Sequence, residues 1–270
     1  MRIFRLFLPV LVLCWTCCVV HAADKATPLT FGESFTIVSQ ALGETRRINV
    51  YVAPAYGEKP GAARPVLYMP DGGMAEDFLH VAGLLQVSVG NGTVRPMILV
   101  GIENTQCRRD LTGPTSVASD RAIAPVVGGS AAFRDFLRKE LLPQIRARYR
   151  TSGETAIIGE SLAGLFVVET YLHEPALFDT YIAFDPSLWW SGRTLLGDAG
   201  RLLRTPARPP RRLYFASSGE PGMAPLTEAL AGALGAAGSG AWHYQAMPAE
   251  SHATIYHPAA MQALRALFKP

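Results

Sequence analysis

Thr155-Ala156-Ile157-Ile158-Gly159-Glu160-Ser161-Leu162-Ala163-Gly164-Leu165-Phe166-Val167 passes from a short apolar, partly β-branched block straight into a crowded apolar stretch that continues through Thr170 and Leu172. The first block has the composition of a buried strand and the second the spacing of a packed helix. Ser161 falls on the junction. A serine there sits on a strained turn with its Oγ above the edge of a sheet. The small residues Gly159 and Ala163 let the strand and helix backbones approach each other. The pattern is G-x-S-x-G with alanine for the second glycine, and Gly164 follows one residue later. The bland alternative is an ordinary strand-to-helix connection in which Ser161 is only an N-cap.

Outward from this junction, strand-like and helix-like patterns alternate. Val66-Leu67-Tyr68-Met69 and Met97-Ile98-Leu99-Val100 read as buried central strands, and Arg46 to Val52 as a half-exposed edge strand. Further strands are expected at Tyr181–Phe184, Arg212–Ala216 and Trp242–Met247. Helical stripes run through Phe78–Leu85 and Phe133–Ile145, the latter interrupted by Pro143, and a last helix covers about Pro258–Leu267. The rhythm predicts an α/β fold with a mostly parallel central sheet and helices on both faces. There is no internal repeat, and no stretch has the composition of an interdomain linker.

The chain begins as a targeting segment does. Arg2 and Arg5 precede an almost unbroken apolar run from Leu6 to Val20, and His21-Ala22-Ala23 offers small residues for cleavage. Residues 1–23 are therefore expected to be a secretory signal peptide and 24–270 a single domain, in the periplasm or outside the cell. An uncleaved anchor is the runner-up. Cleavage removes Cys14, Cys17 and Cys18, so the lone Cys107 has no partner for an internal disulfide. It also removes Arg2 and Arg5 and takes the formal charge from +3 to +1. That balance gives no general attraction to nucleic acid or to a membrane surface. The oligomeric state is not readable.

If Ser161 is a nucleophile it needs a base within hydrogen-bond reach. Of the histidines beyond the leader, His80 and His173 lie in helical stripes, His243 lies inside a strand, and His257 precedes Pro258 at a helix start. His252 follows the last strand in a loop, where a doubly wound sheet delivers residues to its carboxyl edge. The acid is expected between serine and histidine in the chain. Glu220, after the Arg212–Ala216 strand, is the first choice, Asp185 competes, and Glu250 is too near His252 to orient it. For oxyanion donors the backbone N–H of Leu162 is one expectation. The loop Pro70-Asp71-Gly72-Gly73-Met74 supplies the other, Gly73 first and Met74 second. Trp189, Trp190 and Arg109 are candidates for substrate contact, although the tryptophans serve equally well as packing. Histidines and carboxylates lack metal-ligand spacing, and neither a P-loop nor a dinucleotide fingerprint occurs, so no metal and no cofactor is expected.

With these pieces in order, the chain resembles the putative-esterase family of α/β hydrolases, the group around esterase D and the periplasmic siderophore esterases. The resemblance rests on Leu67-Tyr68-Met69-Pro70-Asp71-Gly72, Val100-Gly101-Ile102-Glu103-Asn104-Thr105, Arg108-Arg109-Asp110-Leu111-Thr112, Phe133-Arg134-Asp135-Phe136-Leu137, the serine junction, Asp185-Pro186-Ser187-Leu188-Trp189-Trp190 and Glu250-Ser251-His252. It covers most of the chain from about Phe31. It implies the α/β-hydrolase fold and an exported serine esterase that forms an acyl-enzyme on a small-molecule ester. Siderophore lactones and other bulky aromatic esters are the expected substrates. Acyl transfer on the same fold, or a binding protein that has lost turnover, are the alternatives. Two positions depart from the family pattern: Glu160 stands where histidine is usual, and Ala163 where glycine is.

Overall fold

Strands covered on both faces must be apolar along their whole length, and this is why the central strands could be read directly. The computed structural model describes residues 26–55, 57, 61–204, 210–238 and 240–270, so the expected leader and its cleavage site lie outside the described residues. The chain divides into Met1–Phe31 and Gly32–Pro270. Residues 26–31 carry no regular structure, and the site lies wholly in the second unit.

The strands are β1 (Glu33–Ser39), β2 (Glu44–Val52), β3 (Arg64–Met69), β4 (Ile98–Ile102), β5 (Thr151–Glu160), β6 (Thr180–Phe184), β7 (Arg212–Ser217) and β8 (Ala241–Ala246). They form one eight-stranded sheet in the order β1-β2-β4-β3-β5-β6-β7-β8. β1 and β2 pair antiparallel, as do β2 and β4. All pairs from β4 to β8 are parallel. The expected mostly parallel sheet is thus present. β2 is not its edge, however, because β1 lies outside it. Glu33–Ser39 mixes exposed polar and apolar residues, as an edge strand does, and so gave no continuous apolar signal.

Helices α1 (Phe78–Gly90) and α9 (Tyr256–Leu267) pack on one face of the sheet. The other face carries α4 (Ser130–Phe136), a π-turn (Leu137–Leu141), α5 (Leu142–Arg148), α6 (Ser161–His173), α7 (Trp190–Leu202) and α8 (Ala224–Ala237). Two short turns, α2 (Cys107–Asp110) and α3 (Ala118–Arg121), sit in the connections after β4. The interruption expected at Pro143 falls earlier, in the π-turn. Pro143 itself follows directly, inside the continuous helical run, so the wider π-turn lies just before the residue that lacks an N–H.

Neighbours on β5 divide the core by their pleat. Ile157 joins Tyr68, Val100 and Phe166 on the α6 side, whereas Ile158 joins Leu67, Leu99 and Phe78 on the α1/α9 side. Both interiors are closed, and every side chain from Pro65 to Met69 is buried. The carboxyl ends of the parallel strands then share one edge. Asp71 just past β3, Ser161 at the end of β5 and Asp185 at the end of β6 all adopt left-handed backbone, with φ of 54°, 57° and 38°. Such conformations cost about 1–3 kcal/mol each and persist only where surrounding packing enforces them.

Candidate active site

Ser161 reaches its conformation because β5 and α6 cross almost in contact. A Cβ on Gly159 would stand 2.7 Å from the Cβ of Ala163, so alanine is tolerated at 163 because glycine is present at 159. The turn lifts the Ser161 Oγ off the strand, 3.1 Å from the Nε2 of His252. The Nδ1 of His252 is in turn 3.1 Å from Asp185 Oδ2. The arrangement calls for the Nδ1–H tautomer, with Ser161 donating to Nε2 and Asp185 accepting from Nδ1.

Asp185 is fully buried, and its other oxygen accepts the N–H of Ser218 at 2.7 Å. Burial opposes its ionisation, but the hydrogen bonds from His252 and Ser218 prevail and hold the carboxyl below the usual range. His252 is shifted upward, chiefly by its bond to Asp185; partial burial works against this, and Glu160 and Glu220 add to it. Ser187 completes the surroundings of the serine, with its Oγ 3.4 Å from that of Ser161 and its N–H on the Ser161 carbonyl. Such a relay can deprotonate a hydroxyl as it attacks a carbonyl carbon.

The sequence reading needs correction at the acid. Glu220 makes no hydrogen bond to His252; its own N–H donates to Ser218 Oγ, and it contributes only its charge. Asp185, the competitor, occupies the place beside the imidazole. Both residues follow a strand and precede His252 in the chain, so chain order could not separate them. What separates them is that β6 adjoins β5, and that Asp185 leaves its strand in a left-handed turn.

A second correction concerns the oxyanion donors. Leu162 lies in the first turn of α6, so its N–H has no acceptor inside the helix. The N–H of Gly73, however, donates to Glu76 Oε2 at 2.6 Å, which closes the turn 73–76 on itself. The N–H of Met74 has no acceptor among the described residues. Gly72 holds this loop against β4, since a Cβ there would come within 2.3 Å of the Gly101 and Ile102 backbone.

Of the expected substrate contacts, only Trp189 is left half-exposed for one. Trp190 is buried and donates its indole N–H to the Gly113 carbonyl. Arg109 is held by both oxygens of Glu44 and by Asp110. Its charge is spent inside the fold, next to the buried Arg46–Asp110 pair. Among the described residues no group of histidine, cysteine and carboxylate side chains could hold a metal ion.

A feature missed in the sequence is the crowding of carboxyls beside Ser161. Burial, with Asp77, Asp185 and Asp71 nearby and His252 opposing, pushes Glu160 up to about 7. Burial also lifts Asp71 to about 6, against the hydrogen bond from Asn104 and with Glu76 and Asp77 adding to the rise. Asp77 is raised by burial and by Glu76. The signal was available in Asp71, Glu76, Asp77 and Glu160 as four acids beside two strand ends, but only the parallel order of β3 and β5 brings them together.

The sheet, its crossovers and this serine–histidine–aspartate relay are those of the α/β-hydrolase fold. The chain belongs to the family described as putative esterase, which matches residues 39–220, as the motifs had implied. The ferri-bacillibactin esterase BesA of Bacillus subtilis is 30% identical over 165 residues, 55% of this chain and 56% of that protein. A siderophore enterobactin esterase of Emericella nidulans is 36% identical over 98 residues, 33% of this chain and 32% of that protein. The chain thus spans about half, or a third, of the length of these curated relatives. An IroE-like serine hydrolase from Shewanella oneidensis has a similar structure, with a TM-score of 0.78 at 28% identity over 88% of this chain and 80% of that one.

Two outcomes follow from the geometry. Asp185→Asn should lower kcat on a p-nitrophenyl ester by roughly 10⁴-fold, because the imidazole loses the partner that fixes its tautomer, whereas Glu220→Gln should change it only a few-fold. Steady-state kinetics on the two variants reads the difference, and the reverse order would restore Glu220 as the acid. Glu160→Gln should move the acidic limb of the kcat/KM profile to lower pH. A histidine accepts a proton only when neutral, Glu160 helps to raise the His252 pKa, and removing that charge lets His252 lose its proton earlier. For stability the sign is also set: a carboxyl raised in the folded state destabilises increasingly as pH climbs from its unfolded value toward 7. Glu160→Gln should therefore raise the unfolding midpoint more at pH 8 than at pH 5.

Proposed function

We propose that this chain is an exported serine carboxylic-ester hydrolase that works through an acyl-enzyme. The observation that supports it most is the continuous relay from Ser161 Oγ through His252 to the buried Asp185 carboxylate. In this reading Ser161 Oγ attacks the ester carbonyl while His252 Nε2 takes its proton. The C–O bond of the tetrahedral intermediate then breaks, and His252 returns the proton to the leaving alkoxide. Water, deprotonated by the same nitrogen, attacks the acyl-serine, and Ser161 recovers its proton as the acid departs. Asp185 stays ionised throughout and stabilises the imidazolium.

The developing oxyanion would be met by the N–H of Leu162, at the positive end of α6, and by that of Met74 in place of Gly73. The relatives named for siderophore esters support siderophore lactones and other bulky esters as the substrate class, and half-exposed Trp189 offers an aromatic face for them. Arg109, bound to Glu44 and Asp110, does not serve as an anion receptor in this reading.

Export rests on the composition of residues 1–23. No helix among the described residues is long and apolar enough to cross a membrane.

Ser161→Ala should lower hydrolysis of p-nitrophenyl butyrate by roughly 10⁴-fold or more without changing the circular dichroism spectrum, since only the attacking atom is removed. Retention of activity by the folded variant would overturn the assignment. N-terminal sequencing of protein from fractionated cells should find a start near Ala23 or Asp24. A Met1 start in the membrane fraction would replace the signal peptide with an uncleaved anchor.

A further inference from the structure

The turn after β6 delivers more than the acid. Asp185 leaves the strand in a left-handed conformation, Pro186 follows, and Ser187 then comes back to the nucleophile. Its N–H donates to the Ser161 carbonyl at 3.0 Å, and its Oγ lies 3.4 Å from the Ser161 Oγ. One residue thus holds the strained turn at 161 by its backbone and meets the reacting oxygen by its side chain. Gly164 permits the approach, for a Cβ there would stand 2.9 Å from the Phe184 carbonyl oxygen and 3.2 Å from the Pro186 Cα.

Ser187 is 1% exposed, which leaves its hydroxyl next to no water. Among the described residues the partner of that hydroxyl is the Ser161 Oγ. A buried hydroxyl has one proton to place, and the relay decides where it goes. Asp185 accepts from Nδ1 of the neutral imidazole, so Nε2 is bare and takes the proton of Ser161. Ser161 then has no further proton to give, and Ser187 is left as the donor between the two hydroxyls. The hydrogen bonds run one way, from Ser187 to Ser161, from Ser161 to His252 and from His252 to Asp185. Each donor in such a chain strengthens the next.

The contact gains most when the Ser161 proton leaves. As His252 takes it, negative charge grows on Oγ until the bond to the ester carbon forms. Charge returns to Oγ when that bond breaks and the acyl-enzyme is released. A hydrogen bond that is long to a neutral hydroxyl tightens toward a charged oxygen. An interaction stronger in the transition state than before it accelerates the step.

We propose that Ser187 is a further catalytic residue: its hydroxyl donates to the Ser161 Oγ, aims that oxygen, and stabilises the charge on it both as it attacks and as it is expelled. This role rests on the esterase reading and deepens it. No bond to Ser187 forms or breaks, and its proton stays on its own oxygen throughout.

Pre-steady-state kinetics on p-nitrophenyl trimethylacetate reads acylation as the burst of p-nitrophenolate and deacylation as the steady rate. Ser187→Ala should slow both steps by roughly 10- to 100-fold, less than the loss of an oxyanion donor at its upper end. The substrate dissociation constant should stay unchanged, because Ser187 touches the nucleophile and not the substrate. Ser187→Cys keeps the volume but offers only a weak donor, so it should be slowed as well. A role in packing alone predicts wild-type rates from the cysteine variant, and such rates from either variant would overturn the proposal.

Thermal unfolding reads the contact without turnover. In Ser161→Ala protein the Ser187 hydroxyl has lost its partner, so adding Ser187→Ala should raise the midpoint, whereas in the wild-type background it should lower it. The same shift in both backgrounds would overturn the hydrogen bond. Fluorophosphonate labelling distinguishes the role of Ser187 from the esterase reading itself. Slower labelling of Ser187→Ala than of the wild type supports the role, and equal labelling overturns it while the esterase reading stands. A wild type that is neither labelled nor hydrolytic overturns both.

Discussion

The close crossing of β5 and α6 is the constraint on which the site depends. Gly159 lets the two backbones meet, and the chain then turns through a left-handed residue that is a serine and not a glycine. That turn is costly locally. It is enforced by a strand with parallel neighbours on both sides and by a helix whose apolar face is packed into the core. Ser161 can neither relax into the sheet nor join the regular helix, so its Oγ projects from the carboxyl edge. Asp185 repeats the device one strand away, and Asp71 repeats it on the other neighbour of β5.

Because three adjacent strands end this way, their terminal side chains converge on a small area. His252 enters from the loop after the last strand and meets Ser161 and Asp185 together. The convergence also has a cost. Glu160, Asp71 and Asp77 lie where water is partly excluded, and burial raises all three. Elsewhere buried charge is paired at Arg46 with Asp110 and at Arg134 with Glu169, and buried Asp120 accepts from the Thr115 hydroxyl and the Ser191 N–H. Among the described residues the carboxyls that burial raises on balance are these three, beside Ser161, which is where local rules are expected to yield to function.

Much of this was legible in the chain, for a physical reason. Strands covered on both faces are continuous apolar blocks, so β3, β4, β6 and β7 announced themselves, and the glycine–serine–alanine junction marked the crossing. β1 was not legible, because an edge strand needs no unbroken apolar run, and its absence from the reading made β2 look like the edge. His252 could be chosen by its place after the last strand. The acid could not be chosen, since Glu220 and Asp185 meet the same one-dimensional criteria and differ only in which strand adjoins β5. The capture of the Gly73 N–H by Glu76 is a local three-residue contact that could have been read. The engagement of Arg109 by Glu44 spans 65 residues and could not.

The central claim is that the backbone turn at 161 presents an activated serine. Reaction of the intact protein with a fluorophosphonate, followed by peptide mapping, tests it most directly. The account predicts a stoichiometric adduct on Ser161 alone, forming faster as His252 loses its proton. A folded protein that stays unlabelled, or one labelled at another serine while Ser161 remains free, would contradict it.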